Sequence, residues 1–288
     1  MTYTDTNKAK EYLNKIAKLV EVELDRYIPL EEPESLFTAM RYSLLGGGKR
    51  IRAALAALTA YGEEELAMPA ACALEMVHAY SLIHDDLPCM DNDDFRRGKP
   101  SCHKAFDEAT ALLAGDALLT KAFEVVLETK NNPLLVTLEL AKAAGASGMV
   151  GGQVLDLASE GKKISYDELK VIHSKKTGAL ITVALRMGAL AAKRENMLAK
   201  YTIYGEQLGL AFQITDDILD VTGDATLLGK TLGKDATQGK STYPRLFGLE
   251  KSQQLAKEAV EKAILAIEGV PGEEILSGLA NYILVREK

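Results

Sequence analysis

The sequence predicts an all-α fold, and three observations support that prediction. The helix-favouring residues Ala, Leu, Glu and Lys dominate the chain of 288 residues, and runs of β-branched residues are scarce. Apolar residues recur at the three- and four-residue spacing of a helix face. The eight prolines fall mostly between these periodic segments. Because Trp is absent and aromatic residues make up only 6% of the chain, the core must be aliphatic.

Breaks in the helical periodicity set the limits of the predicted elements. The predicted helices cover about residues 5–26, a second segment that ends near residue 46, and then about residues 50–60, 67–88, 167–191 and 195–221. Turns are predicted at residues 61–62, 131–133 and 160–163. Residues 222–240 contain four glycines and three lysines and are predicted to form a mobile loop over a negatively charged group.

Composition limits the function classes and the compartment. The net charge of −7 argues against nucleic acid as a partner, because duplex binding requires a broad basic surface. Three cysteines without a CxxC pair fit free thiols in a reducing compartment, and no apolar run approaches the ~20 residues of a membrane span. We therefore expect a cytoplasmic protein. The lack of a linker or an internal repeat predicts a single domain over residues 1–288.

Two clusters of aspartates each follow an apolar helical segment. The clusters are Asp85, Asp86 and Asp91, and Asp216, Asp217 and Asp220. One cluster alone could be a solvated helix end, but two clusters at the ends of buried helices would repel each other unless cations bridged them. Carboxylate oxygens suit Mg²⁺, which completes its shell with water and phosphate oxygens. The pattern predicts a Mg²⁺-dependent enzyme that acts on a diphosphate.

Helical spacing adds polar residues to both clusters. Positions three, four and seven apart share a helix face, so His78 and Ser81 lie on the stripe of Asp85. By the same spacing Gln213 lies on the stripe of Asp216. A single histidine on an apolar helix is more often structural, and only its place on the Asp85 stripe makes His78 a candidate.

Glycines and cations follow one another at residues 46–52. Three glycines precede Lys49, Arg50 and Arg52 at the start of a predicted helix, which is a natural site for an anion. The alternative interpretation is a glycine helix stop followed by surface charge. The segment is not a Walker P-loop, because Ile51 cannot supply the hydroxyl that binds Mg²⁺.

These motifs resemble the bacterial trans-prenyl diphosphate synthases, most closely those of the farnesyl type. The matching stretches, in order, are residues 47–52, 75–98, 113–118, 151–156, 176–180, 212–220 and 239–244. Two positions depart from the pattern, because Ala53 stands where relatives usually have Pro and Asn92 replaces a common Asp.

The resemblance implies a fold, an assembly and a metal site. The implied fold is an antiparallel helix bundle around a deep central cavity, assembled as a homodimer, with both aspartate motifs facing each other at the mouth. The implied ligands of three Mg²⁺ ions per active site are Asp85, Asp91 and Asp216. The aspartates implied to orient waters and ligands behind them are Asp86, Asp217 and Asp220.

The resemblance also implies two substrates, isopentenyl diphosphate and an allylic diphosphate (dimethylallyl or geranyl). The residues implied to hold the allylic diphosphate are Arg96, Lys176 and Lys230, with Lys240 joining once its loop closes. The residues implied to hold isopentenyl diphosphate are Lys49, Arg52, His78 and Arg97.

The implied reaction is head-to-tail prenyl transfer through an allylic carbocation. Metal ions and basic residues neutralise the departing diphosphate, and in the family the Lys176 carbonyl, the Thr177 hydroxyl and the Gln213 amide face the cation. The departed diphosphate then removes the proton, so no protein base is required. The full set of implied catalytic residues is Asp85, Asp86, Arg96, Lys176, Thr177, Gln213 and Asp216.

Product length is expected to depend on the helix that precedes the first aspartate motif. Ser81 lies four residues before Asp85, about 6 Å deeper along the helix, and Tyr80 is beside it. A tyrosine ring there would stop the growing chain after about three isoprene units, as in the farnesyl enzymes, which predicts mainly farnesyl diphosphate. The alternative is that Tyr80 packs between helices, and a geranyl or geranylgeranyl product then stays open.

Three other classes compete with this interpretation. An HD-type phosphohydrolase would use His84-Asp85 but would need further histidines at the metal. A non-catalytic subunit of a heteromeric synthase usually loses the second aspartate motif, which is intact here. A class I terpene cyclase normally mixes Asn, Ser or Thr with Glu at its second metal site.

Overall fold

The computed structural model describes residues 6–222 and 241–285, and these residues confirm the predicted helical architecture. The first half contains α1 (Thr6–Tyr27), α2 (Glu34–Leu44), α3 (Ile51–Thr59), a 3₁₀ turn (Glu64–Leu66), α4 (Met68–Asp85), α5 (Cys102–Ala105), α6 (Glu108–Val126) and α7 (Pro133–Ala144). The second half contains α8 (Met149–Ser159), α9 (Tyr166–His173), a π-helical segment (Ser174–Gly178), α10 (Ala179–Ala191), a 3₁₀ turn (Glu195–Met197), α11 (Leu198–Thr222), α12 (Tyr243–Phe247), α13 (Leu249–Ala266) and α14 (Glu273–Val285).

The core is aliphatic, as the composition predicts. Helices from α1 to α14 contribute to one large cluster of buried Leu, Ile, Val and Ala side chains, and Trp is absent from the chain. Helix α4 is buried along most of its length, from Ala70 to Tyr80, and packs against α3, α6 and α10. Burying a Leu or Ile side chain contributes about 1.5–3 kcal/mol. This packing holds the carboxyl end of α4 in a fixed place.

Helix α4 ends earlier than the sequence predicts, at Asp85 rather than near residue 88. After Asp86 the chain folds into turns: the amide of Asp91 donates to the carbonyl of Asp85 at 2.8 Å, and the amide of Asp93 donates to that of Asp86 at 3.2 Å. The aspartates therefore lie at a helix C-terminus, where the helix dipole disfavours negative charge. Cations close to this point are needed to offset that cost.

A short β-hairpin follows, which the sequence analysis missed. Strands β1 (Phe95–Arg96) and β2 (Lys99–Pro100) pair antiparallel, and the turn residues Arg97 and Gly98 have φ of 53° and 75°. Positive φ at both turn positions is typical of a type I′ hairpin. The hairpin directs Arg96 and Arg97 back towards α4 and α2, as their contacts below show.

A π-helical turn interrupts the predicted helix over residues 167–191. The helix is continuous from Tyr166 to Ala191, but Ser174–Gly178 adopts π-helical geometry between α9 and α10. Such turns are frequent at functional sites. Gly152 on α8 packs directly against this turn, because a Cβ at that position would lie 2.2 Å from the backbone nitrogen of Lys176.

Residues Pro133–Ser159, which form α7 and α8, are long and apolar enough to cross a membrane by length and composition alone. The sequence analysis did not single out this stretch. Of the apolar 18-residue window within it, 33% is buried inside the protein.

The predicted loop at residues 222–240 lies outside the described residues except for Thr222, the last residue of α11. Lys230 and Lys240 are therefore outside them as well.

Candidate active site

The first aspartate cluster is bound to the hairpin by an ion pair. Asp86 is only 2% exposed, and its carboxylate accepts from the guanidinium of Arg96, with Nε 3.0 Å from Oδ1. The same guanidinium reaches Asp93, at 3.5 Å between Nη2 and Oδ2. Asp86 is thus occupied by a protein cation, and Asp85 and Asp91 are half-buried beside it.

Asp85 lies in an electrostatic environment that favours its neutral form. Burial raises its pKa to about 6, and the charges of Asp91 and Asp86 add to the effect, whereas Lys176 and Arg96 oppose it. A carboxylate that is costly to ionise gains most from a cation that binds beside it.

Lys176 connects the two aspartate clusters. Its Nζ lies 2.6 Å from Oδ2 of Asp156 on α8, and its charge acts on both Asp85 and Asp91. Although burial alone would lower the pKa of Lys176, these carboxylates raise it, so the ammonium stays charged. The same side chain lines the cavity formed by the second cluster.

That cavity has a volume of about 190 Å³ and lies beside α11. Its walls carry the carboxylates of both α8 and α11 together with a few polar and apolar groups. The lining residues are Asp156, Ser159, Ile164, Leu169, His173, Lys176, Gln213, Asp216, Asp217, Asp220, Ser241 and Thr242. The three predicted aspartates of the second motif therefore share one cavity with Lys176 and Gln213.

A chain of hydrogen bonds runs through the second cluster. The Thr177 hydroxyl donates to Oε1 of Gln213 at 3.0 Å, and Nε2 of Gln213 donates to Oδ1 of Asp217 at 3.1 Å. The other oxygen of Asp217, Oδ2, accepts from the backbone amide of Tyr243 at 3.0 Å. Asp217 is only 4% exposed, so it contacts protein donors at both oxygens.

A group of arginines acts on His78, which lies on α4 seven residues before Asp85. Burial lowers the pKa of His78 well below its usual range, and the charges of Arg52, Arg97 and Arg96 reinforce this. His78 is therefore neutral at physiological pH. Nε of Arg52 is buried and has no hydrogen-bond partner within the described residues. Cations grouped around an unsatisfied guanidinium suit an anionic ligand.

Arg50, two residues before Arg52, makes ion pairs inside the protein. It adopts a left-handed conformation (φ 48°) at the start of α3 and is only 4% exposed. Its guanidinium pairs with Glu21 at 2.6 Å and with the buried Glu75 at 3.1 Å. Glu75 also accepts from the amide of Ala53 at 3.1 Å, a bond that Pro at this position could not make. Arg50 therefore anchors the basic group.

The other two residues predicted for this group, Lys49 and Arg97, contact an aromatic ring and a backbone carbonyl. The ammonium of Lys49 lies 5.6 Å from the centre of the Tyr282 ring on α14. A guanidinium nitrogen of Arg97 donates to the carbonyl of Gly47. The glycine run therefore holds a hairpin arginine through its backbone.

The two residues predicted to set chain length lie one turn before Asp85. The Tyr80 ring is 6% exposed and packs edge-on against His84, with ring centroids 5.7 Å apart. The Ser81 hydroxyl donates back to the carbonyl of His78 at 2.9 Å.

Within the described residues, no group of three or more His, Cys, Asp or Glu side chains lies close enough to hold a metal ion unaided. The acidic donors nevertheless fit a hard cation, because Asp91 and Asp86 both raise the cost of ionising Asp85. Mg²⁺ is usually held by one or two carboxylates plus water and substrate phosphates. The donor set therefore fits an ion whose coordination is completed by a diphosphate.

Sequence reasoning missed three residues of the site. Asp156 was noted only as part of a motif, although it pairs with Lys176; its place three residues after Gln153 on a helix was the available signal. His173 lines the cavity and packs on the Tyr243 ring with centroids 5.6 Å apart. No local pattern marks His173 or Tyr243, because they meet only through tertiary packing.

A profile of the polyprenyl synthetase family matches residues 33–270. The chain belongs to this family.

Relatives with known names agree in family but divide in product. The chain is 46% identical to a farnesyl diphosphate synthase of Haemophilus influenzae, over 88% of this chain and 89% of that protein. It is 45% identical to the large subunit 1 of a heterodimeric chloroplastic geranylgeranyl pyrophosphate synthase of Arabidopsis thaliana, over 96% of this chain and 79% of that protein.

Solved structures show the same fold. An FPP/GFPP synthase of Zymomonas mobilis superposes with a TM-score of 0.87 at 37% identity, covering 98% of this chain and all of that one, 100%. A putative farnesyl-diphosphate synthase of a Marinomonas species gives a TM-score of 0.81 at 40% identity, covering 96% and 98%.

This member of the polyprenyl synthetase family is a prenyltransferase, a trans-prenyl diphosphate synthase similar to the farnesyl enzymes. The HD-type phosphohydrolase and the terpene cyclase alternatives are therefore wrong. His84, which the first of these would use, hydrogen-bonds the Leu112 carbonyl at 3.0 Å and packs on Gly115 of α6. Relatives of similar identity make different products, so they leave chain length open.

Proposed function

We propose that this enzyme condenses isopentenyl diphosphate with dimethylallyl or geranyl diphosphate, head to tail, and that farnesyl diphosphate is its main product. The observation that carries the proposal is the position of Lys176. Its ammonium belongs to the cavity of the second aspartate motif, acts on Asp85 and Asp91 of the first, and adjoins the Thr177–Gln213 pair. An anion attracted to Lys176 therefore lies close to the carboxylates of both motifs. Because these carboxylates repel it, it can bind there only if cations lie between.

Mg²⁺ is the cofactor proposed, with three ions per active site held by Asp85, Asp91 and Asp216. When bound, Mg²⁺ would neutralise the diphosphate and help it to depart. Asp86 is paired with Arg96 and Asp217 accepts two protein donors, which supports roles in holding other residues. Asp220 lines the same cavity and would orient water or ligand there.

The chain's own residues would then guide the reaction. Lys176 and Arg96 attract the allylic diphosphate, whose C–O bond breaks with both electrons leaving on oxygen. The allylic cation faces oxygen atoms of the Lys176 carbonyl, Thr177 and Gln213, which stabilise positive charge without capturing it. The double bond of isopentenyl diphosphate attacks this cation, and the released diphosphate takes the proton from the new cation.

The second diphosphate would bind to the basic group around His78. Arg52, Arg97 and Lys49 supply positive charge, and neutral His78 can hydrogen-bond a phosphate oxygen without adding to their repulsion. Lys230 and Lys240, outside the described residues, are proposed to contact phosphates as well.

Tyr80 supports a farnesyl product. Its buried ring lies on α4 five residues before Asp85, where a tail that grows away from the metal site would meet it. A geranylgeranyl product is the alternative if the ring packs aside from the growing chain, and a geranyl product is the alternative if another side chain stops the tail one unit earlier.

We further propose a homodimer of single-domain chains, residues 1–288, in the cytoplasm. Large apolar side chains are exposed on α6, α7 and α8, where α7 contacts both of the others, and a second copy would cover them. They are Leu112, Leu113, Leu134, Leu135, Leu138, Val150 and Val154. All three cysteines are free thiols, as a reducing compartment requires. Analytical ultracentrifugation would test the dimer.

One assay tests the proposed function. The purified enzyme is incubated with isopentenyl diphosphate and each allylic primer, with Mg²⁺ or with a chelator, and the products are sized after dephosphorylation. We expect fifteen-carbon products that require Mg²⁺ and no added partner. Turnover that begins only when another protein is added would instead identify a subunit of a heteromeric synthase.

A further inference from the structure

Asp217 is more deeply buried than Asp216 and Asp220 of the same motif. It is buried, and its two oxygens accept from two nitrogen donors, the side chain of Gln213 and the backbone amide of Tyr243. Both contacts are within hydrogen-bond distance, at 3.1 and 3.0 Å. A residue whose oxygens are committed in this way is poorly placed to bind a metal or a water.

The direction of these bonds determines what the site presents to its ligand. A carboxylate can only accept, so Gln213 must turn its amide nitrogen towards Asp217 and its oxygen towards Thr177. Thr177 then donates its hydroxyl proton to that oxygen. The lone pairs of Thr177 are left to face outward, so the hydroxyl presents oxygen rather than a proton to a ligand.

We propose that Asp217 is a positioning residue that fixes the direction of hydrogen bonding along Gln213 and Thr177, so that both side chains present oxygen to the allylic cation. This inference rests on the proposed function. Without the carboxylate, the amide of Gln213 could turn over and donate to Thr177, which would free the hydroxyl proton to point at the cation. The positive end of a dipole would then face a developing positive charge.

The substitution Asp217→Asn tests the direction with little change of shape. The Tyr243 amide still needs an acceptor, so the new amide offers its oxygen there and its nitrogen to Gln213. Gln213 must then turn over to accept. We expect kcat to fall by about 10²-fold, the scale of a lost electrostatic contact to a transition state, while KM for both diphosphates and the Mg²⁺ half-saturation stay within about threefold.

Combining Asp217→Asn with Gln213→Glu restores the original direction. The carboxylate introduced at position 213 accepts both from Thr177 and from the amide nitrogen introduced at position 217, and the net charge of the pair is unchanged. We expect kcat to recover at least about tenfold over D217N alone. Glu11→Gln, which removes an exposed charge on α1, is the control and should match the wild type.

Each outcome decides the inference. D217N with wild-type kcat would overturn it, and so would a double variant no faster than D217N. A tenfold weaker Mg²⁺ dependence with kcat recovered at high Mg²⁺ would show that Asp217 is instead a metal ligand. If D217N fails to fold by circular dichroism, the double variant is compared directly with the wild type, and a kcat more than about tenfold below the wild type would overturn the inference.

Wild-type turnover in the same assay separates this inference from the proposed function. A wild-type enzyme that joins no allylic diphosphate to isopentenyl diphosphate would refute the proposed function. A wild-type enzyme that does so, with D217N equally active, would refute only the role of Asp217.

Discussion

Nζ of Lys176 lies 2.6 Å from Oδ2 of Asp156, whereas Nζ of the adjacent Lys175 donates to the carbonyl of Ser147 at 2.7 Å. The two lysines share one π-helical turn but point to different surroundings, and only Lys176 lines the cavity of the second motif. They therefore form a matched pair for testing the site.

Lys176→Met should lower kcat/KM by about 10²–10³-fold, because it removes the fixed cation that is proposed to stabilise the departing diphosphate. Lys175→Met should retain activity within about twofold, since it removes only a surface contact to a carbonyl. Steady-state kinetics with geranyl diphosphate would measure both. Equal losses in the two variants would show that the effect comes from the helical turn rather than from the charge.

Asp85→Asn should have opposite effects on activity and on stability. Turnover should fall by several orders of magnitude, as it should for Asp216→Ala, because each substitution removes a proposed metal ligand. Because burial raises the pKa of Asp85 from 3.8 to about 6, stability falls as pH rises between these two values, and the full cost of its ionisation is present at higher pH. The metal-free variant should therefore melt roughly 2–4 °C higher than the wild type at pH 8 in differential scanning fluorimetry. A melting temperature below that of the wild type would contradict the conclusion that the surroundings of Asp85 disfavour its ionised form.

The raised pKa of Asp85 should also appear in the pH dependence of activity. Protonated Asp85 cannot bind a cation, so activity at low Mg²⁺ should fall as pH drops through about 6. Mg²⁺ stabilises the ionised form, so higher Mg²⁺ should move the midpoint to lower pH. Rate profiles at several Mg²⁺ concentrations would check this. A midpoint that does not move would mean that another group controls the acid limb.

Substitution of Arg50 should lower stability, whereas substitution of Arg52 should weaken substrate binding. Arg50→Met leaves the buried carboxylate of Glu75 without its ion pair, which costs about 3–5 kcal/mol of the free energy of unfolding. Arg52→Met should leave the melting temperature nearly unchanged and raise KM for isopentenyl diphosphate at least about tenfold. Thermal melts and kinetics on both variants would decide. A destabilised R52M with normal KM would reverse the two roles.

Tyr80→Ala should lengthen the product to twenty carbons or more, because removing a buried ring opens space below Asp85. Tyr80→Phe keeps the ring and should leave the products unchanged. Chromatography of the dephosphorylated alcohols would size them. Fifteen-carbon products from Tyr80→Ala would locate the floor of the cavity elsewhere.

Much of the fold could be predicted from the sequence, because long amphipathic segments with clear breaks define their own limits. The positions of α1, α3 and α11 agree with prediction to within a few residues. The hairpin at Arg96 and the π-helical turn at Lys176 could not be predicted, because hairpins of two-residue strands and single wide turns leave almost no periodic signal in the sequence.

The sequence supplied candidate residues for the site but not the contacts between them. The aspartates stood out because charged residues rarely follow buried helices. The pairing of Lys176 with Asp156, and of Asp217 with Tyr243, joins segments distant in sequence and follows only from packing. Arg50 and Arg52 looked alike in sequence because the left-handed backbone that separates them is a tertiary feature.

The π-helical turn at Ser174–Gly178 amounts to one additional residue inserted into an otherwise regular rod. Deleting a single codon there would restore ordinary α-helical winding without rotating α9 against α10, because a π-turn takes up its additional residue locally. The backbone at Lys176 and Thr177 would then lose its wide geometry while the helices on either side kept their places. A one-residue deletion would therefore separate the contribution of the turn itself from that of the helices beside it.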